Sequence, residues 1–144
     1  MGLTDVIHLK CTRETFKPSI THPVRWLDFI EDYPLARDFW PLESPLALEN
    51  WIGAQNLGYR YAAIIENSQI IALAAAWSYS EDAWELAAVL TRLEYRRRGY
   101  SKSVCSFITN YILSSSIIAT CTTGSNNEAM RRTAMSIGFY VVPS

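Results

Sequence analysis

The stretch Trp84–Ser103, WELAAVLTRLEYRRRGYSKS, constrains the fold more than any other part of this sequence. Glu85–Thr91 alternates as a half-buried strand does. A short polar loop follows, then three arginines, a glycine and a small residue, and then helical spacing begins. Val104, Phe107, Ile108, Tyr111 and Ile112 fall at i, i+3, i+4, i+7 and i+8, one face of a helix. A strand that feeds a helix through an Arg- and Gly-rich turn has the design of a phosphate site. The first N–H groups of a helix lack intrahelical partners, and the helix dipole is positive there. Gly99 lets the backbone approach an anion closely. Arg96, Arg97, Arg98 and Lys102 surround that point with positive charge.

Charge elsewhere agrees with a localised anion. Residues 1–90 carry 6 Lys/Arg against 12 Asp/Glu, a net of −6, and residues 91–144 carry 7 against 2, a net of +5. A nucleic-acid surface needs a basic stripe on a basic domain, so that class is disfavoured. The chain's 144 residues, 49% apolar and 19% charged, predict one globular domain with a proper core. The longest apolar run, Ile70–Trp77, is too short to span a bilayer. No charged segment followed by an apolar one opens the chain, so a signal peptide is not expected and the expected location is cytoplasmic. Cys11, Cys105 and Cys121 fit neither a disulfide framework nor a metal site and read as buried thiols in a reducing compartment. His8 and His22 are the only histidines, and no metal is expected.

In chain order, Asp5–Cys11 predicts a first strand and Thr12–Pro23 a loop. Pro23–Phe39 predicts a helix with Trp26, Phe29, Ile30 and Tyr33 on one face, ended or kinked at Pro34. A second helix is expected from near Pro45, with Leu46, Leu48, Trp51, Ile52 and Gln55 on its apolar side and Asn56-Leu57-Gly58 as its stop. From Tyr59 the period changes. Tyr59–Glu66, a turn at Asn67–Gln69, and Ile70–Ser80 predict a hairpin whose second strand is covered on both faces. Then come a strand at Trp84–Thr91, a helix at Ser101–Ser115, a strand at Ile117–Thr122, a helix at Asn127–Ile137 and a strand at Gly138–Val142. This order predicts an α/β (α+β) fold: a mixed sheet with helices on both faces.

Arg96-Arg97-Arg98-Gly99-Tyr100-Ser101 resembles the (Gln/Arg)-x-x-Gly-x-(Gly/Ala) signature of the GCN5-related N-acetyltransferase superfamily, with Ser101 at the last small position. Val89-Leu90-Thr91 and Leu93-Glu94-Tyr95 resemble that family's fourth strand and the loop after it, although a Pro is common where Leu93 stands. Asn127–Phe139 resembles the family's last helix and the Gly-Phe that starts the next strand. The likeness covers residues 59–142 and implies a mostly antiparallel central sheet, a coenzyme-binding core over those residues and a variable, acceptor-side part over 1–58. Two departures stand out. The family usually has one more strand, whereas this sequence ends five residues past Phe139. That leaves a sheet edge bare, or covered by a second subunit in a homodimer or by the N-terminal segment. The family's general acid, a Tyr seven residues after Asn127, is Ala134 here.

The resemblance implies a direct acetyl transfer from acetyl-CoA to a small-molecule or peptide amine, with no metal and no membrane. It assigns the coenzyme diphosphate to Arg96, Arg97, Arg98, Gly99, Tyr100, Ser101 and Lys102, mostly through backbone N–H groups. It assigns the pantetheine arm and acetyl carbonyl to the splayed edge at Val89, Leu90 and Thr91. Asn127 is either a helix cap alone or also a coenzyme contact. Glu85 lies eleven residues before Arg96, where the family's histone acetyltransferases carry their general base, and an unbroken alternation would put it on one face with Ala87, Val89 and Thr91. A surface Glu at a strand start is the plain alternative. The acidic residues Asp28, Glu31, Asp32, Asp38, Glu43 and Glu49 suit either a cationic acceptor or a solvated face. A coenzyme A sensor without catalysis and a nucleic-acid module built on the Arg cluster are the competing classes.

Overall fold

The apolar run at Ile70 forms the middle of the sheet in the computed structural model, which describes residues 5–40 and 46–143. Strand β4 (Gln69–Trp77) is at most 2% exposed from Ile70 through Ala76, because its small and branched residues pack on both sides. It pairs antiparallel with β3 (Tyr59–Glu66) and β5 (Ala83–Thr91). Asn67 and Ser68, both at positive φ, make the two-residue turn between β3 and β4. The remaining elements are β1 (Val6–Cys11), β2 (Arg25–Trp26), α1 (Tyr33–Phe39), α2 (Leu48–Asn56), α3 (Tyr100–Ser115), β6 (Ile118–Gly124), α4 (Glu128–Ser136) and β7 (Tyr140–Val142). They give a seven-stranded sheet in the order β2-β3-β4-β5-β6-β1-β7, parallel only between β5 and β6. Helices α3 and α4 pack on one face over Leu9, Leu86 and Ala119. On the other, α1 and α2 pack over Tyr61, Leu73 and Ala75.

Of the three alternatives for the sheet edge, the N-terminal segment is the one that takes the place of the further strand. Strand β1 pairs with β6 from Val6 to Cys11 and with β7 from His8 to Lys10. Its alternation sets the faces: Leu9 and Cys11 turn into the core, and His8 and Lys10 turn the other way.

The helix expected over Pro23–Phe39 is shorter than its spacing suggests. Trp26 is in β2, paired with Ala62, and its indole packs 5.0 Å from Phe107 and 4.7 Å from Tyr111 on the α3 side. Phe29 packs on Trp51, on the opposite face of the sheet, and Ile30 is 69% exposed. A helix would need all of these on one side. Asp28 Oδ1 accepts hydrogen bonds from the Ile30 and Glu31 N–H groups and holds a turn instead. Pro34 opens α1 rather than ending it, since a missing N–H and a fixed φ cost nothing in a first turn. The second helix stands as expected from Leu48, and Pro45 lies outside the described residues.

One glycine ties the N-terminal loop to α4. Gly138 sits at φ +109°, and a Cβ there would lie 2.0 Å from the Thr15 carbonyl oxygen. The Lys17 N–H donates to the Ile137 carbonyl at 2.9 Å beside it. Gly138→Ala is expected to destabilise the fold by on the order of 3 kcal/mol or more, read from urea unfolding curves.

Candidate active site

Strand β5 is irregular at the point where the candidate residues meet. Ala75 faces Ala87 and Leu73 faces Leu90, so Ala74 alone faces both Ala88 and Val89. Ala88 takes φ 54°, which makes this a bulge. The bulge reverses the alternation. Glu85, Ala87 and Leu90 point to the α1–α2 side, and Trp84, Leu86, Val89 and Thr91 to the α3 side. The expectation that Glu85 shares a face with Val89 and Thr91 is therefore corrected: only Ala87 keeps it.

On its other side β5 parts from β6. The parallel ladder runs from Ala83–Ile118 to Glu85–Thr120 and stops there. Beyond it a cleft of about 230 Å³ opens, lined by Glu85–Val89, Cys121–Thr123, Asn127 and Met130. Leu90 is 44% exposed, and the Thr91 hydroxyl is buried with no hydrogen-bond partner among the described residues. Asn127 Oδ1 accepts from the Met130 N–H at 3.2 Å, so it caps α4 while lining the cleft.

The polar turn after β5 contains one 3₁₀ turn, Leu93–Tyr95, and then the cluster. Arg97 and Gly99 both adopt positive φ, at 64° and 83°. Alternating handedness of this kind turns successive N–H groups to one side, as in anion-binding nests. Gly99 is the N-cap of α3 and, among the described residues, no side chain caps that end. The Ser103 N–H closes on the Gly99 carbonyl at 3.0 Å, and among the described residues nothing accepts from the N–H groups of Tyr100, Ser101 or Lys102. Arg96, Arg97 and Arg98 are exposed around this end. The Arg96 Nε–H donates to the Thr91 carbonyl at 3.3 Å. The Tyr100 side chain turns inward, stacks on His22 at 4.0 Å and donates its hydroxyl to Glu66 Oε2, so only its backbone faces the helix end. His22 neighbours this end, and its sequence position gives no signal of it.

Glu85 is half-buried and accepts a hydrogen bond from the Thr120 hydroxyl at 3.2 Å. Desolvation pushes its carboxyl above its ordinary value, against that hydrogen bond and the nearby His8, which pull it down. A carboxylate of raised pKa at the mouth of a cleft is suited to taking a proton near neutral pH. Three of the other candidate acids are engaged elsewhere. Asp32 forms a paired ion contact with Arg25 at 3.0 and 3.1 Å, Asp28 holds its turn, and Asp38 lies 3.6 Å from Arg92. Glu43 lies outside the described residues. Cys11, Cys105 and Cys121 are buried free thiols, and burial pushes Cys121 up to about 12, so a core role fits them. Arg132 pairs with Glu128, and Arg131 donates to the Ser125 carbonyl.

A family model described as FR47-like protein matches residues 64–143, more than half of the chain. The chain belongs to the FR47-like family, within the GCN5-related N-acetyltransferases. Solved structures of that superfamily share the fold of this FR47-like chain. An acetyltransferase of the GNAT family from Colwellia psychrerythraea is 15% identical with a TM-score of 0.75, over 98% of this chain and 55% of the other. A GNAT-family structure from Novosphingobium aromaticivorans is 20% identical with a TM-score of 0.70, over 96% and 61%. The ribosomal-protein-S18-alanine N-acetyltransferase from Escherichia coli is 16% identical with a TM-score of 0.65, over 81% and 76%. This chain thus spans little more than half the length of the first two. Comparison with curated protein sequences finds no match. Among the described residues, no helix is long and apolar enough to cross a membrane.

Proposed function

We propose that this FR47-like chain binds acetyl-CoA and transfers the acetyl group directly to an amine. One observation carries the reading: the strand that parts from β6 just beyond Glu85 leads, through one 3₁₀ turn and the arginine run, to the uncapped helix end at Gly99. A long ligand with an anionic middle and a reactive end fits that path. In this reading Arg96, Arg97, Arg98, Gly99, Tyr100, Ser101 and Lys102 hold the diphosphate, the last four through backbone N–H groups. Val89, Leu90 and Thr91 pair their free backbone groups with the pantetheine arm, and Asn127 lines its far wall. A β5 N–H aimed at the thioester carbonyl stabilises the negative charge that develops on its oxygen.

The acceptor enters protonated and must lose a proton before it attacks. Glu85 takes that proton, directly or through one water. The amine nitrogen then bonds to the acetyl carbon, the carbon–sulfur bond breaks, and nitrogen gives up a second proton to solvent. Sulfur leaves with the bonding pair and is protonated by solvent, since Ala134 is fully buried and has no proton to give. Holding both reactants in one cleft supplies much of the acceleration.

Calorimetric titration with acetyl-CoA tests the reading. Micromolar binding, followed by release of coenzyme A thiol when amines are added, is the expected result. A folded protein that fails to bind acetyl-CoA overturns it, and binding without release for any amine favours the sensor.

A further inference from the structure

Glu85 belongs to a row of side chains that crosses the sheet. Trp77 is the direct register partner of Glu85, Glu85 of Thr120, Thr120 of Lys10, and Lys10 of Tyr140. Direct partners point to the same face. Among the described residues, helices α1 and α2 pack chiefly over β4 and β3 and not over β6, β1 and β7. The row therefore reads aromatic, acid, hydroxyl, base, aromatic, and its acid, Glu85, lines the cleft.

The charges in this row are kept apart. Thr120 has one hydroxyl proton, and Glu85 Oε1 lies 3.2 Å from it. Given to Glu85, that proton leaves Thr120 Oγ1 to accept from the Tyr79 hydroxyl at 3.2 Å. Lys10 is half-buried and, among the described residues, makes no ion pair. Adjacent strands lie roughly 4.8 Å apart, so the Glu85 and Lys10 backbones are about 10 Å apart. That is too far for their own salt bridge from upright side chains and close enough for one small ligand to touch both. Two charge-assisted hydrogen bonds of roughly 2.8 Å each leave a gap the width of an amine and a carboxylate on one carbon.

The direction of the site limits what else the ligand carries. Its amine must face the gap between β5 and β6, which opens beyond Glu85 and Thr120. Its body then lies on the other side, toward Tyr79. That ring is 43% exposed and packs on Trp77 at 5.1 Å, and Trp77 stacks on Tyr59 at 5.3 Å. The Trp77 indole N–H is used by the Leu57 carbonyl, so the wall offers ring surface and little else.

We propose that the acceptor is an α-amino acid with a large apolar side chain, its amine held at Glu85, its carboxylate at Lys10 and its side chain against Tyr79. This rests on the acetyl-transfer reading and names its substrate class. Lys10 is a binding residue here and takes no part in the chemistry.

The test uses L-phenylalanine, L-phenylalaninamide and phenethylamine as acceptors, with wild type and Lys10→Met, which keeps the aliphatic stem. Wild type is expected to acetylate phenylalanine at least about 10-fold more efficiently than either compound without a carboxylate. Lys10→Met is expected to lower kcat/KM for phenylalanine about 10- to 100-fold, through KM, and to leave phenethylamine unchanged. A calorimetric titration of phenylalanine into the coenzyme A-bound protein reads the same contact without turnover, and Lys10→Met should abolish it. Equal use of all three acceptors, an equal effect of Lys10→Met on all three, or no phenylalanine binding overturns the inference and leaves acetyl transfer standing. Failure of the wild type to bind acetyl-CoA overturns both. Lys10 lies outside the buried core, so melting curves of the variant are expected to match wild type.

Discussion

Gly99→Glu is expected to abolish acetyl-CoA binding while the protein stays folded. The position is the N-cap of α3 at φ 83°, with the free N–H groups of the first turn next to it. Among the described residues a Cβ there would meet the Thr21 hydroxyl at 3.3 Å, a close contact that needs a small shift of that side chain, and His22 Cε1 at 3.8 Å. The carboxylate then occupies the positive end of the helix, where a diphosphate would sit. Two unit charges 4 Å apart at the protein surface repel by about 4 kcal/mol, and a change of that size weakens binding by roughly 1,000-fold. An acid at a helix N-terminus favours the helix itself. The folding cost is thus chiefly left-handed backbone strain, on the order of 1–2 kcal/mol. Gly99→Asn separates the two effects: it is tolerated in the left-handed region and adds no charge. Calorimetry should show the Asn variant binding acetyl-CoA within a few-fold of wild type and the Glu variant not at all. Equal affinity in wild type and the Glu variant sinks the cradle.

The helix start on which the proposed cradle rests was legible in the sequence because every signal for it is local. Helical spacing from Val104, a glycine and an arginine run lie within a dozen residues, and α3 begins within one residue of its expected start. Strand β4 was legible for the same reason, since an unbroken apolar run predicts burial on both faces. The bulge at Ala88 was not. Leu86-Ala87-Ala88-Val89-Leu90 carries no Gly, Pro or Asn to mark a break, and the extra residue shows only against the β4 ladder. Without it the face assignment of Val89 and Thr91 inverts. The false helix from Pro23 has a related cause. Trp26, Phe29 and Tyr33 are apolar because each packs on something, but Trp26 and Phe29 pack on opposite faces of the sheet, and spacing alone does not record that. Strand β1 was foreseen and its slot was one of three alternatives, but its register was not readable. Its partners in β6 lie more than a hundred residues later, so the placement of His8 and Lys10 beside Glu85 depends wholly on long-range register.

Glu85→Gln is expected to lower kcat by 10²- to 10⁴-fold, the usual contribution of a positioned base, and to leave the affinity for acetyl-CoA unchanged. Gln keeps an acceptor for the Thr120 hydroxyl, so the local structure has no reason to move. The pH profile identifies the group. Only ionised Glu85 can take the proton, so the wild-type rate should rise with pH through a pKa above the ordinary carboxylate value, because burial raises it. The Thr120 hydrogen bond opposes that shift. Thr120→Val should therefore move the acid limb to higher pH, while in Glu85→Gln the limb should vanish. Stability follows the same group with the opposite consequence. A carboxyl whose folded pKa is raised contributes stability below its unfolded pKa and loses it as pH rises through the folded value. Wild type should thus lose a little stability across that window, and Glu85→Gln should not. At neutral pH the inactive variant should melt at or above the wild-type Tm, since it no longer holds a half-desolvated charge. A fall in kcat accompanied by a lower Tm and an unmoved acid limb would mark Glu85 as a structural residue. A fall in kcat without those changes leaves the base as the only role that accounts for its burial, its hydrogen bond and its place at the mouth of the cleft.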